Sequence, residues 1–374
     1  MKKVVVSVTN DLTTDQRVHR HCATLVEMGY DVVLVGRKLS GSLPLAQRKY
    51  ECRRMSLFFS KGPLFYMEYN FRLFLFLLFH RFDFLLSNDL DTLLPNFLVS
   101  RLKSKPLVYD SHEFYTGVPE LQSRPRVQKI WTRIEKFIFP KLKHVFTVNQ
   151  SIADLYKNLY GNSIEVVRNV PFKKVRPQVT KKEMGLPEGK KIILMQGAGI
   201  NIDRGAEEMV EALKIVNSDQ YLFLIVGSGD VLPSLKEMVK RYKMEDKVVF
   251  TGKVPMDEVV RYTVLADVGI TMDKDTNVNY RYSLPNKLFD YIQCGVPVLA
   301  TNLVEIRNII EKYKVGEVIS NSDPLYLSKT MVDFLNNESK LAEYKKNALT
   351  AAEELCWEKE KIKFEQVISN VVKA

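Results

Sequence analysis

Short apolar runs rich in β-branched residues alternate along this chain with longer amphipathic stretches, and no other feature limits its fold as strongly. Strands that are apolar along their whole length and separated by helices are typical of a parallel sheet covered on both faces. The N-terminal part has six such runs, at residues 4–8, 31–35, 83–87, 106–110, 144–148 and 164–167. The pattern therefore predicts an α/β domain with a doubly wound sheet.

Residues 171–191 interrupt this rhythm, because they are rich in Lys and Pro and contain no long apolar run, a composition typical of a linker. A second series of five runs follows, at residues 192–195, 221–226, 247–250, 267–271 and 296–300. The 374 residues, 46% of them hydrophobic, suffice for two ordinary domains. We predict Rossmann-like domains at residues 1–172 and 173–353, a terminal helical segment at 354–374, and a ligand cleft between the two domains at the carboxyl ends of their strands.

The positive charge of the chain is concentrated in its N-terminal half. Up to Val170 there are 25 Lys and Arg against 15 Asp and Glu, whereas the remainder has 30 against 29, which together give the net charge of +11. A basic surface attracts nucleic acid, acidic lipid or phosphorylated substrates. We predict no nucleic-acid partner, because no RNP, KH, zinc-finger or basic-zipper signature accompanies the charge.

Large aromatic side chains stand beside basic ones between Phe58 and Phe79. Such a helix can lie on an anionic membrane surface or pack on a sheet as a core helix, and the sequence leaves both open.

No window approaches the ~18 apolar residues of a membrane-spanning helix, and the N-terminus lacks the features of a signal peptide. Four separated cysteines suit a reducing compartment. We expect a cytoplasmic protein, with peripheral contact at the inner face of the cell membrane as an option.

Several common catalytic motifs are absent. The first βα loop, at residues 9–17, has neither the G-x-G-x-x-G of dinucleotide enzymes nor a P-loop, and the chain lacks G-x-S-x-G and H-E-x-x-H. A glycosidase needs two facing carboxylates, and nothing in the sequence places Asp110 and Glu113 across one bond. We interpret Asp89, Asp91 and residues 273–275 as solvated loop carboxylates, so we predict no metal ion and no cofactor.

Polar loops nonetheless follow the strongest strands of the second series. Gly197 and Gly227 each lie in the loop after a predicted strand, and Arg204 with Gly205 opens a predicted helix. Backbone N–H groups at a helix start, with an arginine beside them, suit a diphosphate. The alternative is that these glycines are ordinary turn residues.

The densest cluster of chemically useful residues lies between Tyr280 and Val298. The sequence predicts a helix that starts near Pro285 and ends by Gly295. Lys287 then lies in the first turn and shares a helix face with Asp290. These two residues form either a surface ion pair or a cation for phosphate beside a carboxylate for ribose.

The block Pro285-x-Lys287-Leu288-Phe289-Asp290-Tyr291, followed by Gly295-Val296-Pro297-Val298, resembles the donor-binding helix of family 4 (group 1) GT-B glycosyltransferases. Weaker pieces of the same family pattern occur in the expected order along essentially the whole chain. They are Asn10-Asp11-Leu12, Asp15-x-Arg17-Val18, Gly29-Tyr30, Tyr109-Asp110-Ser111-His112-Glu113, Arg204-Gly205, Gly227-x-Gly229, Phe250-Thr251-Gly252 and Trp357-Glu358.

The resemblance implies a GT-B fold with an acceptor-binding N-terminal domain, a donor-binding C-terminal domain, and a last helix that returns to the N-terminal domain. It implies a retaining, metal-independent transfer of sugar from a nucleotide-diphosphate sugar to a saccharide or lipid-linked acceptor. Such transfers build cell-surface polysaccharide or glycolipid.

Roles for individual residues follow from the resemblance alone. Arg204 and Lys287 neutralise the departing diphosphate, and His112 lies near the reacting sugar. Asn10, Arg17 and Glu113 line the acceptor side of the cleft. The donor-binding set, with Asp290 on the ribose, is Gly197, Gly205, Gly227, Ser283, Pro285, Asn286, Leu288 and Asp290.

Two departures from the family pattern keep other functions open. Tyr282 stands where many members carry a first glutamate, and Ala198 follows Gly197 where an arginine is frequent soon after the glycine. One alternative is a non-catalytic glycosyltransferase-like binding subunit. The other is a sugar-nucleotide epimerase of the same fold, which would need acid and base carboxylates that the Tyr282 position does not offer.

Overall fold

A computed structural model describes residues 1–13 and 15–373, and its chain divides into two compact units. The N-unit comprises residues 1–169 and the residues from Glu360 onward, and the C-unit comprises residues 170–359. Each unit contains one parallel sheet with helices between its strands. The prediction of two Rossmann-like α/β domains is confirmed.

The N-unit sheet has seven parallel strands in the order β3-β2-β1-β4-β5-β6-β7. The strands are β1 (Lys3–Asp11), β2 (Asp31–Lys38), β3 (Glu51–Ser56), β4 (Phe84–Asn88), β5 (Leu107–Ser111), β6 (His144–Thr147) and β7 (Glu165–Val166). The strand order reverses at β1, which pairs with both β2 and β4. In open parallel sheets, ligands bind beyond the carboxyl ends of the strands at such a reversal.

Six helices of the N-unit connect these strands. They are α1 (Gln16–Glu27), α2 (Gly62–Phe79), α3 (Leu90–Leu102), α4 (Pro119–Gln122), α5 (Pro125–Ile138) and α6 (Gln150–Tyr160), with 3-10 turns at Tyr115–Gly117 and Phe139–Lys141.

Helix α2 packs on the sheet as a core helix along one face only. One face packs into the core through Phe65, Tyr69, Leu73 and Leu77, and the Tyr69 hydroxyl donates to the Val8 carbonyl at 2.7 Å. Apolar side chains on the other face stay exposed, among them Met67, Phe71 and Phe79. No helix within residues 1–13 and 15–373 is long and apolar enough to cross a bilayer.

The C-unit sheet has six parallel strands in the order β10-β9-β8-β11-β12-β13. The strands are β8 (Lys191–Gly197), β9 (Tyr221–Gly227), β10 (Val248–Gly252), β11 (Val268–Thr271), β12 (Val298–Thr301) and β13 (Gly316–Ile319). The helices are α7 (Ala206–Val216), α8 (Leu232–Tyr242), α9 (Met256–Thr263), α10 (Val278–Arg281), α11 (Asn286–Cys294), α12 (Val304–Tyr313), α13 (Pro324–Asn336) and α14 (Glu338–Ala352).

The predicted donor helix is α11, and it differs from the prediction by one residue at its start. Pro285 is the N-cap, with extended backbone, and Asn286 is the first helical residue. Gly295 ends the helix in the left-handed region, at φ 71°, as the sequence predicts. Lys287 therefore does lie in the first turn.

The final helix, α15 (Trp357–Lys373), begins in the C-unit and enters the N-unit at Glu360. Within the N-unit, the Glu360 carboxylate binds the Arg168 guanidinium at 2.7 Å, and the Phe364 ring stacks on His21 with ring centroids 4.5 Å apart. Within the C-unit, the Trp357 backbone N–H donates to the Pro171 carbonyl at 2.7 Å. The unit boundaries accordingly lie near, but not at, residues 172 and 353.

Candidate functional site

Two polar clusters lie at the carboxyl edges of the sheets, one in each unit. In the C-unit, the first element is a close approach of two glycines that end neighbouring strands, Gly197 on β8 and Gly227 on β9. A side chain on Gly227 (φ 137°) would collide with the Gly197 carbonyl oxygen. The Ser228 N–H donates to that same oxygen at 3.0 Å. Gly227 is thus required for the contact between the two loops. It is therefore more than an ordinary turn residue.

The loop before α7 is fixed by a third glycine. Gly205 is the N-cap of α7 with φ 80°, and a side chain there would collide with Met272 at the end of β11. Because the Gly205 backbone lies directly against Met272, the preceding Arg204 is held beside the residue that follows, Asp273.

Asp273 is the centre of the C-unit cluster. Its carboxylate is fully buried, Arg204 approaches it at 2.6 Å, and the Lys287 ammonium lies 3.9 Å away. The Ser283 hydroxyl lies 3.4 Å from the same carboxylate. The structure therefore brings Arg204, Lys287 and Ser283 together as the resemblance implies. The interpretation of Asp273 as a solvated carboxylate is wrong, because it follows a central strand and is covered by these partners.

The electrostatics of this cluster favour an anionic ligand. Burial lowers the pKa of Lys287, although the Asp273 charge opposes that shift. Burial also acts against the charge of Arg204, but Asp273 and Tyr280 leave its pKa above the ordinary value. Two cations thus face one carboxylate, and the Arg204 charge adds to the lowering of the Lys287 pKa. The first turn of α11 adds N–H groups without a side-chain cap.

Asp290 belongs to a different set of contacts one turn further along α11. Its carboxylate binds the Lys174 ammonium at 2.6 Å and accepts from the Gln196 side chain at 3.3 Å. The alternative of a surface ion pair between Lys287 and Asp290 is wrong, because each has a partner elsewhere. Of the other predicted donor-side residues, Leu288 is buried, Pro285 is half-buried and Asn286 is exposed.

The N-unit cluster is built around His112, just after β5. Its Nδ1 lies 3.1 Å from Asp89 and its Nε2 lies 3.1 Å from Asp110, while its backbone N–H donates to Asp89 at 2.9 Å. Burial alone would lower the pKa of His112, but the two carboxylates raise it well above the ordinary value. Both ring nitrogens of His112 thus face a carboxylate, an arrangement that favours the imidazolium form.

Arg17 is buried, and it supports His112 indirectly, through Asp110. It is only 4% exposed and forms a two-pronged pair with Asp110, with nitrogen–oxygen distances of 2.9 and 2.7 Å. It also donates to the Val167 carbonyl at 2.9 Å. Burial opposes ionisation of Asp110, yet Arg17 and His112 hold the pKa of this carboxyl below its usual range. Arg17 thus fixes the carboxylate that fixes His112.

Asn10 and Glu113 lie on a cavity of 800 Å³ that belongs wholly to the N-unit. Asp89 and Asp91 line the same cavity. The interpretation of these two aspartates as solvated loop carboxylates is wrong. Asp89 is bound by His112, and Asp91 is buried and accepts from the Thr9 hydroxyl at 2.5 Å.

Sequence reasoning assigned no site function to three aspartates that share one signal. Asp89 and Asp91 follow β4 at Asn88 by one and three residues, and Asp273 follows β11 at Thr271 by two residues. Side chains just after parallel strands lie at the edge where ligands bind, so position relative to the strand ends could have identified them. Within the described parts of the chain, no three His, Cys, Asp or Glu side chains form a group suited to a metal ion. Metal independence stays a prediction.

Family comparisons cover nearly the whole chain. The family described as "Glycosyltransferase Family 4" matches residues 15–170, and "Glycosyl transferases group 1" matches residues 178–350. N-acetyl-alpha-D-glucosaminyl L-malate synthase from Bacillus anthracis is 26% identical over 170 residues, which are 45% of this chain and 42% of that protein. The alignment thus spans less than half the length of this curated relative.

Solved structures match over the full length. Sucrose-phosphate synthase from Thermosynechococcus elongatus superposes with a TM-score of 0.77 at 15% identity, covering all of both chains. HepE from Anabaena, solved in complex with UDP, gives a TM-score of 0.74 at 13% identity, again covering both chains entirely. At these identities the likeness concerns the fold, which is the GT-B fold.

Proposed function

The chain belongs to the group 1 glycosyltransferases of family 4, and on that premise we propose that it moves a sugar from a nucleotide-diphosphate sugar to a saccharide or lipid-linked acceptor. The reaction would serve the synthesis of cell-surface polysaccharide or glycolipid. The observation that carries this proposal is the convergence of Arg204 and Lys287 on the buried Asp273.

The C-unit cluster supports binding of the donor diphosphate. Arg204 and Lys287 carry more positive charge than Asp273 neutralises, and α11 presents uncapped N–H groups beside Lys287. Groups fixed in advance at a point where charge develops are usually the largest contribution to catalysis. As the bond to the sugar breaks, negative charge grows on the leaving diphosphate, and these cations stabilise it.

Asp290 is the proposed acceptor of hydrogen bonds from the ribose. It is 17% exposed, and the Gln196 contact to its Oδ2 is long, at 3.3 Å. Lys174 at 2.6 Å orients the carboxylate. The complex of HepE with UDP supports a nucleoside diphosphate as the ligand class.

The N-unit cluster supplies a rigid imidazolium. Because Asp89 and Asp110 occupy both ring nitrogens of His112, we propose that it positions the reacting sugar and the acceptor rather than removing a proton. We further propose that the transfer retains the anomeric configuration and needs no metal ion. NMR of the product linkage and activity in the presence of EDTA check these two points.

The N-unit surface supports a peripheral contact with the anionic inner face of the cell membrane. Phe58, Phe71 and Phe79 expose most of their side chains on or beside α2, and the Arg72 guanidinium lies over the Phe58 ring at 5.3 Å. Basic groups interleaved with exposed apolar ones suit an anionic bilayer. Cosedimentation with vesicles that contain anionic lipid, but not with purely zwitterionic vesicles, is expected.

Donor hydrolysis without an acceptor tests the proposed function. A glycosyltransferase should slowly release nucleoside diphosphate and free sugar from a panel of nucleotide-sugars. An epimerase would return an isomerised sugar-nucleotide, and a binding subunit would return the donor unchanged. Lys287→Ala should abolish most of the release, whereas Lys240→Ala, an exposed lysine on α8, should not. Equal rates in both variants would refute the diphosphate function of Lys287.

A further inference from the structure

The backbone around Arg204 is fixed on both sides of the residue. Before it, the Asp203 carbonyl accepts from the Lys274 N–H at 2.9 Å. After it, the Gly205 backbone lies directly against Met272. These contacts determine where the Arg204 side chain begins. They do not determine the orientation of the guanidinium group at its other end.

The ion pair with Asp273 fixes that guanidinium through one nitrogen. Nη1 of Arg204 donates to Oδ2 of Asp273 at 2.6 Å, whereas Arg17 donates to both oxygens of Asp110 through two nitrogens. The Nε atom of Arg204 has no hydrogen-bond partner in the part of the chain that the structure describes. A two-pronged pair defines the plane of a guanidinium, but a single hydrogen bond leaves that plane free to turn. Arg204 therefore needs a second contact to hold one orientation.

The ring of Tyr280 supplies a second contact. The guanidinium carbon of Arg204 lies over the face of this ring, 4.2 Å from its centre. A cation at this position is attracted by the negative face of the ring, and a planar guanidinium stacks on it. Because the ring covers one face of the group while Asp273 holds one nitrogen, the two contacts together restrict how the guanidinium can turn.

The local structure of α10 fixes Tyr280 in turn. Asn277 is the N-cap of this four-residue helix, and its side-chain oxygen accepts from the Tyr280 N–H at 2.9 Å. The Tyr280 carbonyl accepts from the Ser283 N–H at 3.1 Å, and the Ser283 hydroxyl lies 3.4 Å from the Asp273 carboxylate. The turn that places Tyr280 thus also places Ser283, and both side chains reach the pair of Arg204 and Asp273.

We propose that Tyr280 is a positioning residue for the diphosphate site. Its ring holds the Arg204 guanidinium in the orientation that binds the donor diphosphate, and Tyr280 acts through Arg204 without binding the diphosphate itself. This inference rests on the proposed function, because it names a further residue of the same anion site. The family resemblance assigned no function to Tyr280.

Isothermal titration measures the effect of Tyr280 on binding without turnover. UDP, GDP and ADP are titrated into the unaltered protein, and the tightest of them is then compared with its nucleoside. Tyr280→Leu should weaken the diphosphate about fivefold, as expected for the loss of a cation–π contact, and should leave the nucleoside within twofold. Tyr280→Phe keeps the ring and should keep the diphosphate affinity within twofold. Equal weakening of diphosphate and nucleoside by Tyr280→Leu would overturn the proposal.

Tyr242→Leu is the matched control, because it removes a similar contact at the end of α8. There the Lys214 ammonium lies 3.8 Å, and the Arg241 guanidinium carbon 5.0 Å, from the centre of the Tyr242 ring. Tyr242 belongs to neither polar cluster, so this variant should keep the diphosphate affinity within twofold even where its melting temperature falls. If Tyr242→Leu and Tyr280→Leu weaken the diphosphate equally, the loss reflects general stability and the proposal is wrong.

A double-substitution cycle tests whether Tyr280 acts through Arg204. Arg204→Gln removes the charge that the ring attracts, so adding Tyr280→Leu to it should change the diphosphate affinity less than twofold. A further fivefold loss in the Arg204→Gln background would show that Tyr280 contacts the ligand directly, and this result would contradict a positioning function.

Failure of the proposed function has a different signature. If the unaltered protein neither hydrolyses a nucleotide-sugar nor binds a nucleoside diphosphate, the proposed function is wrong, and the function of Tyr280 is wrong with it. If the unaltered protein does both, and Arg204→Gln weakens the diphosphate while Tyr280→Leu does not, the transfer stands and only the assignment of Tyr280 is wrong.

Discussion

The two polar clusters share one arrangement, a buried aspartate that binds an arginine, and differ in their net charge. Each has a fully buried aspartate at the carboxyl edge of a parallel sheet that binds an arginine, Asp273 with Arg204 in the C-unit and Asp110 with Arg17 in the N-unit. Around Asp273 a second cation, Lys287, leaves an excess of positive charge. Around Asp110 the charges balance, because the imidazolium of His112 is shared with a second carboxylate, Asp89.

This difference in charge predicts ligand binding by the C-unit cluster and positioning of His112 by the N-unit cluster. Under the proposed function the C-unit cluster binds an incoming anion, and burial lowers the pKa of its Lys287. The N-unit cluster is complete without a ligand, and Arg17 is buried within it. Substitutions in the first cluster should therefore reduce ligand binding and catalysis, whereas substitutions in the second should first reduce stability.

The largest expected effect is the loss of stability in Asp110→Asn. Removing one partner of a buried ion pair leaves an uncompensated charge and costs ~3–5 kcal/mol. We expect this loss in the free energy of unfolding, because Arg17 cannot reach solvent. Asp273→Asn should cost clearly less, since the Arg204 side chain is 24% exposed. Urea unfolding of both variants measures the difference, and equal losses would erase the distinction between the clusters.

The next effect is on turnover. Arg204→Gln should lower the rate of donor hydrolysis about 100-fold or more, because one fixed stabiliser of the departing charge is lost. Arg241→Gln changes the same residue type on the surface of α8 and should leave the rate within twofold. A steady-state assay of released nucleoside diphosphate measures both, and a rate for Arg204→Gln near that of the unaltered protein would contradict the account.

A backbone substitution tests how Arg204 is held. Gly205→Ala should destabilise the protein by about 1–3 kcal/mol, because the new methyl group meets Met272 and the φ of 80° strains any side chain. Gly252→Ala is the matched control, with a similar φ of 72° and open space around the new methyl group. Thermal unfolding should show a greater loss for Gly205→Ala, and donor binding should weaken only in that variant. Equal behaviour would mean that Met272 does not position the loop.

The smallest effect is the pH dependence that His112 contributes to stability. Its pKa is raised well above the unfolded value of about 6.5, so its stabilisation is complete below that pH and is lost as pH rises through the folded pKa. The stability difference between the unaltered protein and His112→Gln should shrink from pH 6 towards alkaline pH. Urea unfolding across this range measures the trend. A stability difference that grows with pH would contradict the raised pKa of His112.

The sequence predicts the fold well because burial of whole strands leaves a visible pattern. All central strands of both sheets coincide with the apolar runs, and α11 ends at Gly295 as its glycine requires. The edge strand β3 was not predicted, because its sequence Glu51–Ser56 is polar and half-exposed and pairs only with β2. The edge strand β13 was not predicted either, whereas the edge strands β7 and β10 were, because each contains an apolar run.

The candidate site could be predicted only in part. Arg204 and Lys287 were identified through local motifs, but the aspartate that joins them, Asp273, was not. The spacing of Lys287 and Asp290 on one helix face suggested a pair between them, yet the partner of Asp290 is Lys174, 116 residues away. Burial of Asp91 and Asp273 depends on how distant segments pack over the strand ends. The local sequence does not determine that packing.

The affinity gap between a nucleoside diphosphate and its nucleoside tests the central claim most directly. Isothermal titration of UDP, GDP and ADP identifies the base that binds, and titration of the matching nucleoside gives the gap. The account predicts that the diphosphate binds at least tenfold more tightly than the nucleoside, that Lys287→Ala removes most of this gap, and that Lys240→Ala preserves it. A gap of the same size in Lys287→Ala would contradict the claim that Arg204 and Lys287, joined by Asp273, form the site of the diphosphate.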